Sequence, residues 1–175
     1  MSVAISTFSA EDISHHLGEL GALLHACVHD GASIGFVLPY AQSEAEAFWR
    51  DKVLPGVGAG MRIMLVAHKD GRIAGTVQLG CDTMPNQPHR ADVNKLMVHP
   101  DFRRQGIARL LMRELEARAR ELGRSLLTLD TRTGDSAEPL YTALGYQMVG
   151  TIPAYARDPF GSDRLDATTV MYKLL

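Results

Sequence analysis

The segment from Val93 to Leu115 constrains the fold of this chain more than any other. A largely apolar run ends at Val98, and Pro100 stops the strand because proline supplies no backbone N–H. The next residues, Arg103-Arg104-Gln105-Gly106-Ile107-Ala108, open a helix whose apolar positions recur with helical spacing over 106–122. A strand, a short loop and an amphipathic helix in this order predict a mixed α/β fold.

The loop before this helix has the composition of an anion-binding site. A helix N-terminus offers unpaired backbone N–H groups and the positive end of the helix dipole. Gly106 and Ala108 are small, so a phosphate group can approach the backbone closely, and Arg103 and Arg104 can add charge-assisted hydrogen bonds. The pattern G-x-x-x-x-G-K-[ST] is absent, so ATP is not the expected ligand. An ordinary connection with exposed arginines is the alternative.

The rest of the chain alternates between predicted strands and helices. The second helix is expected to end before Pro55, with 56–60 as a loop; because this glycine-rich loop follows a helix, it lacks the context of a dinucleotide-binding fingerprint. The length of 175 residues predicts a single domain, 1–175. The predicted strands are 3–8, 61–68, 72–81, 91–98, 125–131, a strand from 146 and 167–174, and the predicted helices are 10–30, 43–54, 106–122 and 136–144.

Charge and composition argue against several classes of protein. The formal net charge is −2, whereas proteins that bind nucleic acids are usually strongly basic. No apolar stretch approaches the roughly 20 residues that cross a membrane. The N-terminus lacks the pattern of a signal peptide, and Cys27 and Cys81 form no zinc-binding pattern. We therefore expect a cytoplasmic protein with reduced thiols that binds neither nucleic acid, membrane nor metal.

Two sequence blocks resemble the GNAT superfamily of N-acetyltransferases. The segment Leu-Met-Val-His-Pro followed by Arg103-x-x-Gly106-x-Ala108 is similar to its acetyl-CoA motif, Arg/Gln-x-x-Gly-x-Gly/Ala, and differs at Arg104, where glycine is common. LYTALGY (140–146) is similar to its tyrosine-bearing helix and the following strand start. The resemblance implies an α/β fold with a mixed, mostly antiparallel sheet, a splayed central parallel strand pair and flanking helices.

The resemblance also implies that acetyl-CoA is the cosubstrate and that no metal is needed. In the family, N–H groups of the loop hold the CoA pyrophosphate, and the strand before it pairs with pantetheine as an added strand would. The residues implied to bind CoA are Leu96, Met97, Val98, Arg103, Arg104, Gln105, Gly106, Ile107, Ala108, Arg109, Ser136 and Tyr141.

Acetyl transfer from a thioester to an amine requires a deprotonated amine, a stabilised oxyanion and a proton for the leaving thiolate. A backbone N–H on the strand 94–98 is the expected oxyanion donor. The resemblance assigns Tyr141 as the proton donor; its alternative is a half-buried packing role. Asp130 and Asp92 are the candidate bases, and if their strands are parallel neighbours, both carboxylates are expected to face the gap between them. Asp130 is the better candidate, because an acid in a mostly apolar strand is costly unless paired. The alternatives are capping or arginine pairing for Asp130 and a surface position beside Arg90 for Asp92.

Further similarity concerns the acceptor. The segments LLHACVHDGASIGF, RADVNKLMV, LTLDTRTGDSAEPLYTALGY and PAYARDP resemble the tabtoxin-resistance branch, whose members acetylate an amino-acid-like β-lactam toxin. Residues 1–49 contain six acids and no Lys or Arg, which favours an acceptor that arrives as an ammonium. The expected substrate is therefore the primary amine of a small, amino-acid-like molecule. The expected substrate contacts are His29, Ser33, Phe36, Asp92, Asp130 and Tyr155.

Two alternatives stay open at the level of sequence. The acceptor can be another amine, such as a polyamine, an aminoglycoside or a protein lysine. The chain can also be a non-catalytic acyl-CoA sensor that uses the same loop without turnover. Tyr141 and the two strand acids favour catalysis. The expected oligomeric state is a monomer or a homodimer.

Overall fold

A seven-stranded sheet forms the centre of the computed structural model, which describes residues 2–175. The strands are β1 (Ala4–Phe8), β2 (Arg62–Lys69), β3 (Arg72–Gly80), β4 (Arg90–Val98), β5 (Leu126–Arg132), β6 (Gln147–Arg157) and β7 (Leu165–Leu174). The helices are α1 (Ala10–His15), α2 (Leu17–His29), α3 (Gln42–Phe48), α4 (Leu54–Gly58), α5 (Ile107–Glu121) and α6 (Ala137–Ala143).

The strand order is β1-β2-β3-β4-β5-β7-β6, and β4 with β5 is the parallel pair. The neighbours on either side pair antiparallel, which confirms the predicted mixed sheet. Helix α5 forms the crossover connection that two consecutive parallel strands require. β4 and β5 share only three residue pairs, from Arg90 opposite Leu126 to Asp92 opposite Thr128. Beyond Asp92 the two strands separate, so the predicted splay is present.

Each face of the sheet packs against its own set of helices. Apolar residues of α5, including Leu111 and Leu115, pack on one face with Val93 and Leu129. The N-terminal helices pack on the other face, where Trp49 is fully buried. Side chains alternate along a strand, so residues one position away from Val93 and Leu129 point to the sheet face that the N-terminal helices cover. Asp130 therefore projects from the face opposite to α5.

Two helices differ from the sequence prediction. The first predicted helix is interrupted at His16, whose backbone leaves helical geometry (φ −109°, ψ 18°), so α1 and α2 are separate. The second does not end before Pro55. It continues through a π-helical turn, Trp49–Val53, into α4, where the proline occupies the first turn. A proline is tolerated there because a first-turn N–H needs no helical partner. The expected loop at 56–60 therefore begins as helix.

Candidate active site

A cleft of about 800 Å³ opens where β4 and β5 separate. Its walls are β4, the loop before α5, the start of α6, the segment 30–35 that follows α2, and parts of β6 and β7. The structure brings most of the predicted site residues to this cleft: Ser33, Leu96, Met97, Val98, Arg103, Arg104, Gly106, Ile107, Ala108, Arg109, Asp130, Ser136, Tyr141 and Tyr155. Gln105, His29, Phe36 and Asp92 do not line it.

The N-terminus of α5 forms one end of the cleft. Gly106 occupies the N-cap position with φ +79°, a left-handed conformation that side-chain-bearing residues rarely adopt. Within residues 2–175 no side chain caps this helix end, and an added Cβ on Gly106 would meet no atom within 4 Å. The first-turn N–H groups therefore face open space, as an anion site requires. Arg104 is also left-handed (φ +61°), which explains why the related motif commonly has glycine there.

The two arginines of the loop have different surroundings. The Arg103 guanidinium donates to the Asp30 carboxylate and to the backbone oxygen of Val98 (3.2 Å), so it fastens the loop to the end of α2. Arg104 forms no ion pair among the described residues and lines the cleft. Gln105 turns away, because its side-chain oxygen accepts from Lys69 and its amide donates weakly to Asp101 (3.4 Å). The loop therefore presents Arg104 to an anion more openly than Arg103.

A bulge bends β4 along the cleft. Thr76 of β3 lies opposite Met97, whereas Gln78 lies opposite Asn94, so β4 carries one extra residue between these pairs. Lys95 within the bulge has φ +52°. Beyond Asp92 the edge of β4 that faces the cleft has no pairing with β5. Its backbone groups are available to pair with an extended ligand or to donate to a developing oxyanion.

Tyr141 projects from α6 at the base of the cleft. It is 6% exposed, and its ring packs edge-on against Tyr146 with centroids 5.6 Å apart. Its hydroxyl makes no hydrogen bond within the described part of the chain. Burial first, and then the negative charges of Asp130 and Asp135, raise the pKa of Tyr141 above its ordinary value of about 10. The phenol is therefore protonated throughout the neutral range.

Asp130 lies in the cleft near the end of β5. Its side chain is exposed, and its carboxylate accepts a hydrogen bond from the Thr168 hydroxyl of β7 (2.9 Å). This bond orients the carboxylate and leaves further lone pairs free. Asp130 also lies close enough to Tyr141 and Lys95 for its charge to affect the pKa of both. An oriented carboxylate therefore stands near a protonated phenol.

Asp92 does not reach the cleft, although it projects to the same face as Asp130. It lies at the last shared pair of β4 and β5, where the strands are still together. Its carboxylate pairs with Arg90 at 2.5 Å and accepts from the Thr128 hydroxyl. Only Asp130 meets the expectation that both carboxylates face the gap. The contacts of Asp92 agree with the alternative position beside Arg90.

Two predicted substrate contacts also lie outside the cleft. His29 is exposed at the end of α2, where its ring bonds to the backbone oxygen of His25 (2.9 Å) and stacks on the His25 ring. Phe36 packs on Tyr40 and Phe48, behind the cleft wall. Ser136, which does line the cleft, stands at the N-cap position of α6 without a capping hydrogen bond.

The cleft includes charged residues that the sequence analysis did not select. Lys95 comes from the β4 bulge, and Arg132 of β5 pairs with Asp135 (3.1 Å) and Asp166 (3.8 Å). The ion pair of Arg132 with Asp166 joins segments far apart in sequence, and no local pattern indicates it. The sequence could have indicated Lys95, since it is the one cation within the otherwise apolar end of a predicted strand.

Neither a metal centre nor a membrane span is found in residues 2–175. No three of their His, Cys, Asp and Glu side chains form a group that could hold a metal ion. None of the helices described combines the length and apolar character needed to cross a bilayer.

Comparison with known proteins agrees with this geometry. The family model of the acetyltransferase (GNAT) domain matches residues 61–148, which include the loop, β4, β5 and α6. An uncharacterised N-acetyltransferase from the hisH–hisA intergenic region of Azospirillum brasilense is 33% identical over 114 residues. That match spans 64% of this chain and just under two thirds (66%) of the relative.

Solved structures share the fold over nearly the whole chain. A ribosomal-protein-alanine N-acetyltransferase from Brucella melitensis superimposes with a TM-score of 0.78 at 22% identity, covering 98% of this chain and 99% of that one. The yncA structure from Salmonella typhimurium, which contains its cofactor acetyl-CoA, gives 0.75 at 18% identity, covering 100% and 95%. At these identities the likeness concerns the fold.

Proposed function

We propose that this chain, which belongs to the GNAT acetyltransferase family, transfers the acetyl group of acetyl-CoA to the primary amine of a small, amino-acid-like molecule. One observation carries the proposal. The cleft between β4 and β5 has an uncapped helix N-terminus at one end and a buried phenol beside an oriented carboxylate at the other. An extended molecule with a phosphate-rich end and a reactive end fits this arrangement.

Acetyl-CoA matches the cleft part by part. The N–H groups at the start of α5, with Arg104 and Arg109, suit the pyrophosphate. The unpaired edge of β4 suits the amide groups of pantetheine, which can hydrogen-bond as an added strand would. A volume of about 800 Å³ lies within the range of about 300–1,000 Å³ that small-molecule sites occupy.

The proposed reaction is a direct attack of the amine on the thioester. Asp130, alone or through a water molecule, accepts the proton that the ammonium loses. The nitrogen then bonds to the acetyl carbon, and a backbone N–H of β4 donates to the oxygen that becomes negative. When the carbon–sulfur bond breaks, the electron pair stays on sulfur, and Tyr141 protonates the thiolate. The second proton of the attacking nitrogen leaves through water, which returns a proton to the Tyr141 oxygen. The products are the N-acetylated amine and CoA thiol.

The surroundings of Tyr141 suit a proton donor. Its raised pKa keeps the proton on oxygen until the thiolate forms. A thiol has an ordinary pKa of about 8.5, below that of the phenol, so proton transfer from Tyr141 to the thiolate is uphill. Collapse of the tetrahedral intermediate and prompt reprotonation of the Tyr141 oxygen by solvent drive this transfer. A hydroxyl with no partner in the described chain is free to point at sulfur.

A contact between two loops beside the cleft favours a small acceptor. The backbone N–H of Leu38 donates to the oxygen of Pro159 (2.9 Å), and the Phe160 ring lies so close to Gly31 that an added Cβ would clash at 2.5 Å. The segment after α2 and the loop after β6 therefore meet. Resemblance to the tabtoxin-resistance branch supports an amino-acid-like acceptor, including a β-lactam toxin. A polyamine, an aminoglycoside and a protein amine are the competing acceptors.

Thiol release from acetyl-CoA tests the proposal. The acceptor panel contains amino acids, dipeptides, β-lactam amino acids, polyamines, an aminoglycoside and a lysine-bearing peptide. We expect release that depends on a small amine with an amino-acid-like structure. Binding of acetyl-CoA without release by any acceptor would identify the chain as a sensor and would contradict the proposal.

A further inference from the structure

Lys95 is a partly buried cation without an anionic partner. Its ammonium donates one hydrogen bond, to the backbone oxygen of Ile34, and lies 5.2 Å and 5.6 Å from the ring centroids of Phe36 and Phe48. Within residues 2–175 no carboxylate lies within ion-pair distance of it. An ammonium has three protons to donate, and a desolvated charge is costly unless paired. The residue nevertheless lines the cleft.

A second cation and a buried amide lie beside Lys95. Arg62 lies close enough for its charge to act on the Lys95 ammonium, and it likewise has no ion pair among the described residues. Arg62 donates to the side-chain oxygen of Gln78 (2.7 Å), and Gln78 is fully buried. This bond leaves the Gln78 amide nitrogen with no acceptor in the described chain. Two unpaired cations and an orphaned buried donor therefore share one region, opposite Asn94 of β4.

From this cluster we propose that Lys95, the member that lines the cleft, binds the carboxylate of the acceptor. Hydrogen-bond donors outnumber acceptors around Lys95, and an anion that enters through the cleft would pair with its ammonium. The ammonium hydrogen bonds and charge attraction favour a carboxylate over a neutral amide. Lys95 is thus a specificity-determining residue.

The position of Lys95 relative to Asp130 gives the acceptor a direction. Asp130 lies within electrostatic reach of Lys95 but outside ion-pair distance, so the two charges do not neutralise one another. A molecule that carries an ammonium and a carboxylate can bridge them, with its amine at Asp130 and its carboxylate at Lys95. This inference rests on the proposed function and narrows its substrate class to amino acids with a free carboxylate.

The test compares each amino acid of the acceptor panel with its own carboxamide, at equal concentrations of free amine. Wild-type enzyme should acetylate the amino acid with a lower KM than the amide. In Lys95→Met the KM for the amino acid should rise about 10- to 100-fold, the range expected when a hydrogen bond to a charged group is lost. The KM for the amide and that for acetyl-CoA should stay within about twofold.

Two variants serve as controls. Lys52→Met removes one exposed lysine outside the cleft and should change none of these constants. Lys95→Arg keeps the charge and should retain a preference for the carboxylate. An equal loss for the amino acid and the amide in Lys95→Met would overturn the proposal, because Lys95 would then only hold the cleft wall. Equal KM values for both forms in wild type would overturn it even if Lys95→Met does not fold.

Calorimetric titration separates this inference from the proposed function. Amino acids and their amides are titrated into wild-type enzyme saturated with CoA. Tighter binding of the carboxylate forms supports the Lys95 site even if no acceptor is acetylated, an outcome that would contradict only the proposed function. Equal binding of both forms alongside measurable turnover would overturn the Lys95 site and leave the proposed function standing.

Discussion

Replacing Tyr141 by phenylalanine isolates the proposed proton donor from its packing role. The ring is 6% exposed and packs edge-on against Tyr146, and phenylalanine keeps both contacts. The hydroxyl makes no hydrogen bond in the described chain, so its removal leaves no protein partner unsatisfied. We therefore expect stability to change by less than about 1 kcal/mol, or roughly 2–4 °C in Tm.

The expected effect on rate is much larger. General acid catalysis typically contributes about 10²–10⁴-fold, which corresponds to roughly 2.7–5.4 kcal/mol of transition-state stabilisation. The affinity for acetyl-CoA should stay nearly unchanged, since the hydroxyl acts on the leaving sulfur. Because burial raises the pKa of Tyr141, the wild-type phenol stays protonated even at a pH near 10, the ordinary pKa of tyrosine. The rate ratio of wild type to variant should therefore be constant across neutral pH.

Thiol release at saturating acetyl-CoA measures the rate, and calorimetry measures the affinity. Tyr146→Phe is the matched control, because Tyr146 belongs to the same aromatic pair and does not line the cleft. Its turnover should equal that of wild type. If Tyr141→Phe keeps turnover within about twofold of wild type, well below the range for an acid catalyst, another group protonates the thiolate and the assignment is refuted.

Three further substitutions test the cleft and its support. Gly106→Val should abolish CoA binding in calorimetric titration while the protein stays folded, because a branched side chain is strained at φ +79° and would fill the phosphate space; unchanged affinity would remove the loop from the site. Asp130→Asn should lower the rate, with partial recovery at higher pH as more free amine is present, whereas Asp92→Asn should affect melting more than rate; pH–rate profiles beside melting curves separate the two. Lys173→Met should lower Tm by roughly 6–20 °C, because the buried Glu116 carboxylate, 2.7 Å from the Lys173 ammonium, would lose its partner. A Tm equal to that of wild type would show that the ion pair contributes nothing to stability.

Local patterns predict much of the fold because they depend on neighbouring residues. The helix expected at 106–122 is α5, Ile107–Glu121, and the parallel pair follows from a strand, a crossover helix and a second strand. The break at His16 and the π-helical turn after Phe48 escaped prediction. Both are local changes of backbone geometry in helices that pack on the sheet. The helical spacing of apolar residues continues through them, so the sequence pattern does not indicate them.

The candidate site is less predictable because it depends on where strands separate. The sequence predicts both Asp92 and Asp130 as candidate bases, with Asp130 preferred, and both project to the same face of the sheet. The parallel pairing ends at Asp92, and this register places one carboxylate against Arg90 and the other in the cleft. Lys95 depends on a bulge between two paired strands. Neither the end of the pairing nor the bulge has a local signature in the sequence.

Transfer of a labelled acetyl group tests the central claim most directly. The enzyme is mixed with acetyl-CoA labelled in the acetyl group and with the acceptor panel, and the amines and the CoA thiol are quantified by mass spectrometry. The account predicts label on the nitrogen of an amino-acid-like acceptor, with one acetyl group transferred for each thiol released, and none in Gly106→Val. Acetyl-CoA bound in the cleft with no label on any amine would contradict it.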